Sequence, residues 1–296
     1  MNLFEIQDIC RDQLVVLQYL QRQNILHTDV QCAPCQHACT LVKDVSKLSG
    51  YVWRCSKCKK KQSVLKDSFL EGAKISTAKF LYLVFYWSTK TSLQTTVHHL
   101  DISSRTAVDY YQYLRDICSW KLINHPIQLG GPGKEVQIDE SLLVKAKYHR
   151  GRNARRRDSW VFGAYDVAEQ MGYITYVAKR DAATLLPIIQ RVVAPGSVVI
   201  SDEWAAYRGI QNLPQNYDHR TVNHSQNFVN PITGAHTNNV ESYWKRAKAV
   251  FKRMNGTSKD MVPSYLDEFM WRERFGRTMN LAYINILRHI ADRYPC

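Results

Sequence analysis

Alternating apolar and polar positions predict several strands in the second half of the chain. Residues 136–141 alternate as a half-buried strand does, and residues 197–202 form a short β-branched run that stops at an acid. Residues 160–165 and 172–177 have the composition of two paired strands joined by a turn, and residues 182–193 follow as a helix. The order of strands and helices predicts a mixed α/β sheet with flanking helices.

Apolar residues spaced three and four apart predict helices in the first half. One helix is expected over residues 3–23, and others over 77–87, 93–100 and 105–120. The turn 101–104, with Ser103 or Ser104 as the N-cap, joins the last two. A helix, a short turn and a second helix are typical of a helix-turn-helix DNA reader, although an ordinary helical hairpin gives the same pattern.

A further helix is predicted around Glu241. Apolar residues recur on one face at spacings of three and four, namely Val240, Trp244, Ala247, Phe251 and Met254. The C-terminal stretch 263–294 is also helical and apolar on one side. We expect it to pack against the α/β domain.

The charge balance favours a polyanionic partner. Among 296 residues, 40 Lys and Arg stand against 26 Asp and Glu, a formal net charge of +14. Nucleic acid is the commonest polyanion, although a merely soluble basic protein would have the same surplus. No apolar run has the length of a membrane span, and the start of the chain lacks the pattern of a secretory signal. We therefore expect the eight cysteines to lie in a reducing compartment, where metal binding is favoured over disulfides.

Four cysteines have the spacing of a structural zinc site. Cys32 and Cys35 form one Cys-x-x-Cys knuckle, and Cys55 and Cys58 form a second, with 19 residues between them. Four thiolates close a tetrahedral zinc site and leave no open position for catalysis. A redox pair or chance spacing are the alternatives, and His37 or Cys39 could replace one of the ligands.

Three distant acids suggest a second metal site. Asp139 and Asp202 lie on predicted strands, and Glu241 lies on the predicted helix. Carboxylate oxygens suit Mg²⁺ or Mn²⁺ rather than zinc, and two such ions can promote phosphodiester chemistry. The hypothesis is that these residues are catalytic and hold two ions.

Basic residues near these motifs are candidates for DNA binding. Lys245, Lys248 and Lys252 share the helix face of Glu241, where a salt-bridged surface is the alternative. The run 145–157 has seven basic residues and no acid, and a solvated loop is its alternative. Its basic residues are Lys145, Lys147, Arg150, Arg152, Arg155, Arg156 and Arg157. The remaining candidates are Lys59 and Lys60, beside the second knuckle, and Arg105, at the start of the second helix of the helix-turn-helix pattern. A solvated surface or a nuclear-targeting signal also explains the two lysines.

Three segments and the cysteine knuckles resemble the Merlin superfamily of cut-and-paste DNA transposases and related bacterial insertion-sequence transposases. The segments are 138–140, 201–207, and 236–241 with Trp244. The resemblance implies a ribonuclease-H-like core with a three-carboxylate metal site on Asp139, Asp202 and Glu241. It also implies cleavage at terminal inverted repeats. Some bacterial relatives have Asn in place of the third acid, which keeps Asn238 and Asn239 as candidates.

The predicted organisation follows the chain. Its segments are an N-terminal helix (1–28), a zinc ribbon (29–68), a helical helix-turn-helix-like region (69–128), a linker (129–134), a ribonuclease-H-like catalytic domain (135–262) with the basic loop, and C-terminal helices (263–296).

The predicted function is metal-dependent DNA cleavage and strand transfer by a transposase. Mg²⁺ or Mn²⁺ would activate first water and then the freed 3′-hydroxyl, without a covalent protein–DNA intermediate. Cutting two ends together requires a dimer or larger assembly on double-stranded DNA, and a eukaryotic host would imply the nucleus. The alternatives are a domesticated DNA-binding regulator without catalysis and a stand-alone nuclease or resolvase.

Overall fold

The computed structural model describes residues 1–143, 159–223, 236–254 and 257–296. These residues form two compact units, Met1–Lys121 with Phe275–Cys296, and Leu122–Arg274. The helices are α1 (Leu3–Cys10), α2 (Gln13–Arg22), α3 (Thr77–Ser88), α4 (Leu93–Leu100), α5 (Ser104–Asn124), α6 (Ala182–Val192), α7 (Asn238–Arg253), α8 (Val262–Phe275) and α9 (Met279–Arg293). The strands are β1 (Cys39–Lys43), β2 (Tyr51–Cys55), β3 (Lys61–Ser63), β4 (Leu129–Gly130), β5 (Glu135–Leu142), β6 (Trp160–Asp166), β7 (Met171–Val177), β8 (Val193–Ala194), β9 (Val198–Asp202) and β10 (Asp218–Val222).

The N-terminal segment contains two helices, so the prediction of one helix over 3–23 is wrong. The Asp12 carboxylate accepts hydrogen bonds from the backbone N–H groups of Leu14 and Val15, at 2.7 and 3.1 Å. Asp12 is therefore the N-cap of α2, and its extended backbone ends the preceding helix. The apolar stripe continues across this break, which is why periodicity alone did not reveal it.

A small antiparallel sheet, ordered β1-β2-β3, forms the predicted zinc-ribbon segment. Strands β1 and β2 pair with Cys39 opposite Cys55 and Val42 opposite Val52. Val52 and Trp53 are buried and give this short sheet its core.

Helices α4 and α5 are joined by a tight turn, close to the predicted boundaries. Asp101 has a left-handed backbone (φ 46°) that ends α4. The Ser103 hydroxyl accepts the N–H of Thr106 at 3.0 Å, as expected of an N-cap. The buried hydroxyls of Thr96 and Tyr111 lie 2.9 Å apart and link the two helices.

The last helix belongs to the first unit, which corrects the expectation that both C-terminal helices pack on the α/β domain. Helix α8 belongs mostly to the second unit, but α9 packs against α3 in the first. Tyr283, Ile286 and Ile290 lie on its buried face. The apolar pattern of α9 correctly predicts a buried face, but it contains no information about which partner covers it.

The second unit is built on a mixed five-stranded sheet with the order β10-β9-β5-β6-β7. Strands β5, β6 and β7 are antiparallel neighbours, whereas β9 is parallel to both β5 and β10. Helix α7 packs on β5 and β6, and α6 packs against the short helical turn Ala205–Tyr207. The predicted mixed α/β sheet with flanking helices is confirmed.

The glycine-rich segment 129–134 is part of this unit rather than a free linker. Strand β4 pairs with β8, and the N–H of Gly130 donates to the Asp166 carboxylate at 2.7 Å. Gly130 has a positive φ of 79°, and a Cβ there would lie 2.3 Å from the Ser197 hydroxyl. Chain-breaking residues thus mark a tightly packed turn here, and the division between units falls earlier, at Leu122.

Among the described helices, none combines the length and apolar character that crossing a membrane requires.

Candidate active site and zinc-binding cluster

Neighbouring parallel strands bring Asp139 and Asp202 together. Strands β5 and β9 pair with Gln137 opposite Ile200. Two residues further along each strand come Asp139 and Asp202, in the same register. Because side chains alternate along a strand, both acids lie on the same face as Gln137.

The helix that carries Glu241 is held against this face by Gln137. The Gln137 side chain is fully buried. Its amide oxygen accepts the N–H groups of Asn239 and Val240, at 3.0 and 3.3 Å. These are two of the N–H groups that the first turn of a helix leaves unpaired. One buried amide therefore fixes the start of α7 beside the strand of Asp139, which sequence reasoning missed because a lone Gln in a strand gives no signal.

Asp202 and Glu241 both lie within electrostatic range of Asp139. Burial raises the pKa of Asp139 to about 7, and the charges of Asp202 and Glu241 add to this effect. Glu241 itself is exposed, and the Thr237 hydroxyl donates to it at 3.5 Å. Within the described part of the chain, the three carboxylates do not form a group as tight as 4.8 Å.

Trp244 orients the first acid. Its indole N–H donates to Asp139 Oδ2 at 3.1 Å, and its ring is almost fully buried. The ring lies over Gly163, which pairs with Asp139 across β5 and β6. A Cβ at Gly163 would come within 2.5 Å of the ring. The sequence singled out Trp244 as part of a motif, but this role depends on a contact that only the fold creates.

Glu140, which was not among the predicted site residues, lies on the opposite face of β5. Burial and the neighbouring Asp139 raise the pKa of Glu140 to about 7, while the nearby Tyr207 hydroxyl and Arg180 oppose the rise. Among the described residues, no hydrogen-bond partner reaches Glu140 Oε1 or the Tyr207 hydroxyl. Tyr207 ends the short turn that follows β9. The alternation of β5 therefore gives the sheet an acid on each face at this point.

The predicted DNA-binding residues fall into three groups. Lys248 donates to the Ser141 hydroxyl at 2.7 Å, on the same face of β5 as Asp139, while Lys245 and Lys252 are exposed. Lys59, Lys60 and Arg105 are also exposed, and Arg105 pairs with Asp109. The residues Lys145, Lys147, Arg150, Arg152, Arg155, Arg156 and Arg157 lie outside the described residues, as does the rest of 144–158.

The four knuckle cysteines come together. All four sulfurs lie within 4.8 Å of one another, with Cys32 and Cys58 at 3.5 Å and Cys35 and Cys55 at 3.4 Å. Sulfurs around a tetrahedral zinc ion with bonds of about 2.3 Å would lie roughly 3.8 Å apart, so the set fits the metal.

The backbone around Cys55 favours its thiolate, whereas burial raises the pKa of the Cys32 thiol to about 12. Burial alone would raise the pKa of the Cys55 thiol, but N–H groups of Cys58 and Lys57 outweigh it and lower this pKa to about 6. The two residues considered as replacement ligands lie outside the four-sulfur group. The His37 ring contacts the Cys35 carbonyl, and Cys39 lies opposite Cys55 in the sheet.

A comparison with protein families matches residues 128–274 to the ISXO2-like transposase domain. This segment contains the whole five-stranded sheet and the three acids. The match and the observed strand order together confirm the predicted ribonuclease-H-like core.

Two curated proteins are similar in sequence. An uncharacterized transposase-like protein of Haemophilus influenzae is 30% identical over 119 residues, which are 40% of this chain and 92% of the relative. Male abnormal protein mab-31 of Caenorhabditis elegans is 26% identical over 220 residues, 66% of this chain; the chain spans about half (50%) of that relative's length.

Among solved structures, the catalytic core domain of BIV integrase matches with a TM-score of 0.31 and 14% identity, over 47% of this chain and 80% of that one. A pre-cleavage Mos1 transpososome matches with a TM-score of 0.25 and 9% identity, over 72% of this chain and 75% of that one.

Proposed function

Because the chain belongs to the family of ISXO2-like transposases, we propose that it is a DNA transposase of the cut-and-paste type, with Asp139, Asp202 and Glu241 as its catalytic acids. The observation that carries this proposal is the register of β5 and β9. It sets two acids side by side, and Gln137 docks the helix of the third beside them.

The donor set fits divalent cations. Three carboxylates close enough to raise the pKa of Asp139 repel one another, and a bound cation would offset that repulsion. Hard oxygen donors select Mg²⁺ or Mn²⁺. Three carboxylates can be shared between two such ions, which is the number that phosphodiester chemistry commonly uses. When bound, such ions supply activation of the attacking oxygen and stabilisation of the leaving oxygen.

The surrounding side chains prepare the acids for this task. Trp244 and the backbone N–H of Glu140 each donate to one oxygen of Asp139, which fixes the orientation of the carboxylate. Lys248, beside Ser141, adds a positive charge to the same face and is suited to hold a phosphate of the cut strand.

The first unit and the basic residues are proposed to bind the DNA ends. The four-sulfur cluster and helices α4 and α5 would read terminal inverted repeats, with Lys59, Lys60 and Arg105 on the backbone. The basic run 145–157 and Lys245 and Lys252 would hold end or target DNA. Coordinated cutting of two ends implies a dimer or larger assembly, and the location would be the nucleus in a eukaryotic host and the cytoplasm otherwise.

A second candidate is a DNA-binding regulator that has the fold without the chemistry. It is favoured by one relative, whose name, male abnormal protein, does not refer to transposition. Tight DNA binding without any nicking in Mg²⁺ or Mn²⁺ would support this alternative.

The test is cleavage of DNA carrying the element's terminal repeats in the presence of Mg²⁺. We expect wild-type protein to nick and join strands, and Asp202→Asn to lose both activities because it removes a charged ligand. The matched control is Asp218→Asn, on the adjacent strand, where an exposed pair with Arg220 contributes little. Equal cleavage by wild type and Asp202→Asn would exclude the assigned metal site, and cleavage without strand joining would indicate a nuclease.

A further inference from the structure

One exposed aromatic side chain stands beside the candidate active site. Trp204 follows Asp202 by two residues and is 43% exposed. Among the described Phe, Tyr and Trp residues of the second unit, it is the one that is exposed; Trp160 is half-buried and Trp244 is buried. Indole rings carry a large apolar surface, so leaving one in water forgoes a substantial stabilisation.

The ring is held in a fixed position. The backbone N–H of Trp204 donates to Asp202 Oδ1 at 3.0 Å, and its indole N–H donates to the Arg180 carbonyl at 3.2 Å. The Arg180 guanidinium lies 3.7 Å from the centre of the Trp160 ring and 5.2 Å from that of Trp204. The Arg180 guanidinium therefore contacts both indoles, and Trp204 is the more exposed of the two rings.

Packing alone accounts for only part of this arrangement. The hydrogen bond to Arg180 and the cation–π contact account for the position of the Trp204 ring. They do not explain why the residue at this position is a large aromatic ring that stays 43% exposed. A flat ring anchored on one side and open to water is the arrangement on which nucleic-acid bases stack, and every base has a suitable face.

We propose that Trp204 is a stacking platform for an unpaired nucleobase of the DNA strand bound at the acids. The inference rests on the proposed function, because it takes the phosphate next to that base to lie at Asp139 and Asp202. The link between Trp204 and Asp202 ties the position of the ring to the position of the acid. The occupant is a base in a single-stranded or frayed stretch, because a base inside a duplex already stacks on its neighbours.

The test compares two fluorescently labelled DNA probes by anisotropy, with the full chain and saturating Ca²⁺, an oxygen-binding cation that offsets the charge of the acids. Both are the same short duplex with a single-stranded overhang of equal length and charge. One overhang carries thymine bases, and the other consists of abasic sugar–phosphate units. Wild-type protein should bind the base-bearing probe roughly 5- to 100-fold more tightly, the range that aromatic stacking gives for one base.

Three variants make the result specific. Trp204→Ala should bind both probes equally, with the affinity that wild type has for the abasic probe. Trp204→Phe retains a ring and should recover part of the preference. Phe4→Ala removes an exposed aromatic side chain (74%) from α1, an element with no proposed DNA contact, and should retain the wild-type preference. Circular dichroism melting confirms that each variant is folded.

The outcomes separate this inference from the proposed function. Full discrimination by Trp204→Ala, or none by wild type, would overturn the stacking platform alone, because the duplex itself is still bound. The comparison of probes on wild-type protein decides the question even if Trp204→Ala does not fold. Failure to bind either probe, or a blunt duplex, would remove the proposed function and this inference together.

Discussion

At the scale of single residues, the candidate site depends on a few polar contacts made by buried groups. Gln137 is fully buried, and its amide oxygen accepts both backbone donors at the start of α7. Burial disfavours the charged form of the Asp139 carboxylate, and the Trp244 indole donates a hydrogen bond to it. Leaving buried polar groups without partners costs about 1–3 kcal/mol each, so these contacts select one orientation of each side chain.

The raised pKa of Asp139 predicts how the stability of the metal-free protein depends on pH. Its value of about 7 in the folded chain lies above the ordinary 3.8, so the folded state binds the proton more tightly than the unfolded state. Its contribution to stability is complete below pH 4 and is lost as the pH rises through 7. The Asn side chain of Asp139→Asn carries no charge at any pH. The melting temperature of this variant, relative to that of wild type, should therefore rise between pH 5 and pH 8.

The same measurement in saturating Mg²⁺ provides the control. A bound cation stabilises the charged carboxylates. The melting temperature of wild type, relative to that of Asp139→Asn, should then rise with pH. An identical pH dependence of the two proteins without metal would contradict the assignment of a strained carboxylate at this position.

At the scale of elements, the packing of α7 on β5 and β6 decides whether the third acid reaches the other two. Strand β6 offers Gly163 at the position opposite Asp139, and the Trp244 ring fills the space that a side chain would take. A second close approach places Tyr243 over Gly172, in β7. Both glycines lie in strands, where this residue is otherwise disfavoured, and the close approach of a helix explains them.

Gly163→Ala should therefore disturb the site without touching an acid. The added methyl group would meet the Trp244 ring at 2.5 Å, and overpacking of this kind costs about 1–3 kcal/mol. We expect a lower melting temperature and weaker DNA cleavage. The double variant Gly163→Ala with Trp244→Leu should recover stability but not cleavage, because the donor to Asp139 is gone. Recovery of both would show that Trp244 contributes only packing.

At the scale of the whole molecule, the two units bear different kinds of site. The first has the four-sulfur cluster on a sheet of three short strands with few buried apolar side chains, so the stability of this sheet should depend on metal. The second has a five-stranded sheet in which residues on both faces of β5 are buried, and two of its acids lie where β5 and β9 run side by side.

Zinc content should follow the four clustered sulfurs and no other cysteine. Purified protein should contain about one zinc per chain by atomic absorption, and Cys55→Ser should lose it together with DNA-end binding. Cys39→Ser is the matched control, since Cys39 lies opposite Cys55 in the sheet but outside the group. Equal zinc in both variants would refute the assigned ligand set.

The sequence by itself determined the elements and the metal-binding spacing. Strands β5, β6, β7 and β9 and the helix of Glu241 follow from local periodicity, because each buries one face whatever its partner. The two Cys-x-x-Cys knuckles predicted a cluster because the geometry of each knuckle is local.

Only the tertiary structure decided which side chains meet. The packing of α9 on α3 could not be inferred from its apolar pattern. The hydrogen bond that caps α7 joins Gln137 to a residue 102 positions away, and the hydrogen bond from Trp244 to Asp139 spans 105 positions. Glu140 and Asp139 are neighbours in sequence, yet they belong to opposite faces of one sheet. Such relations depend on how elements pack, and an apolar pattern specifies that a face is buried without specifying what covers it.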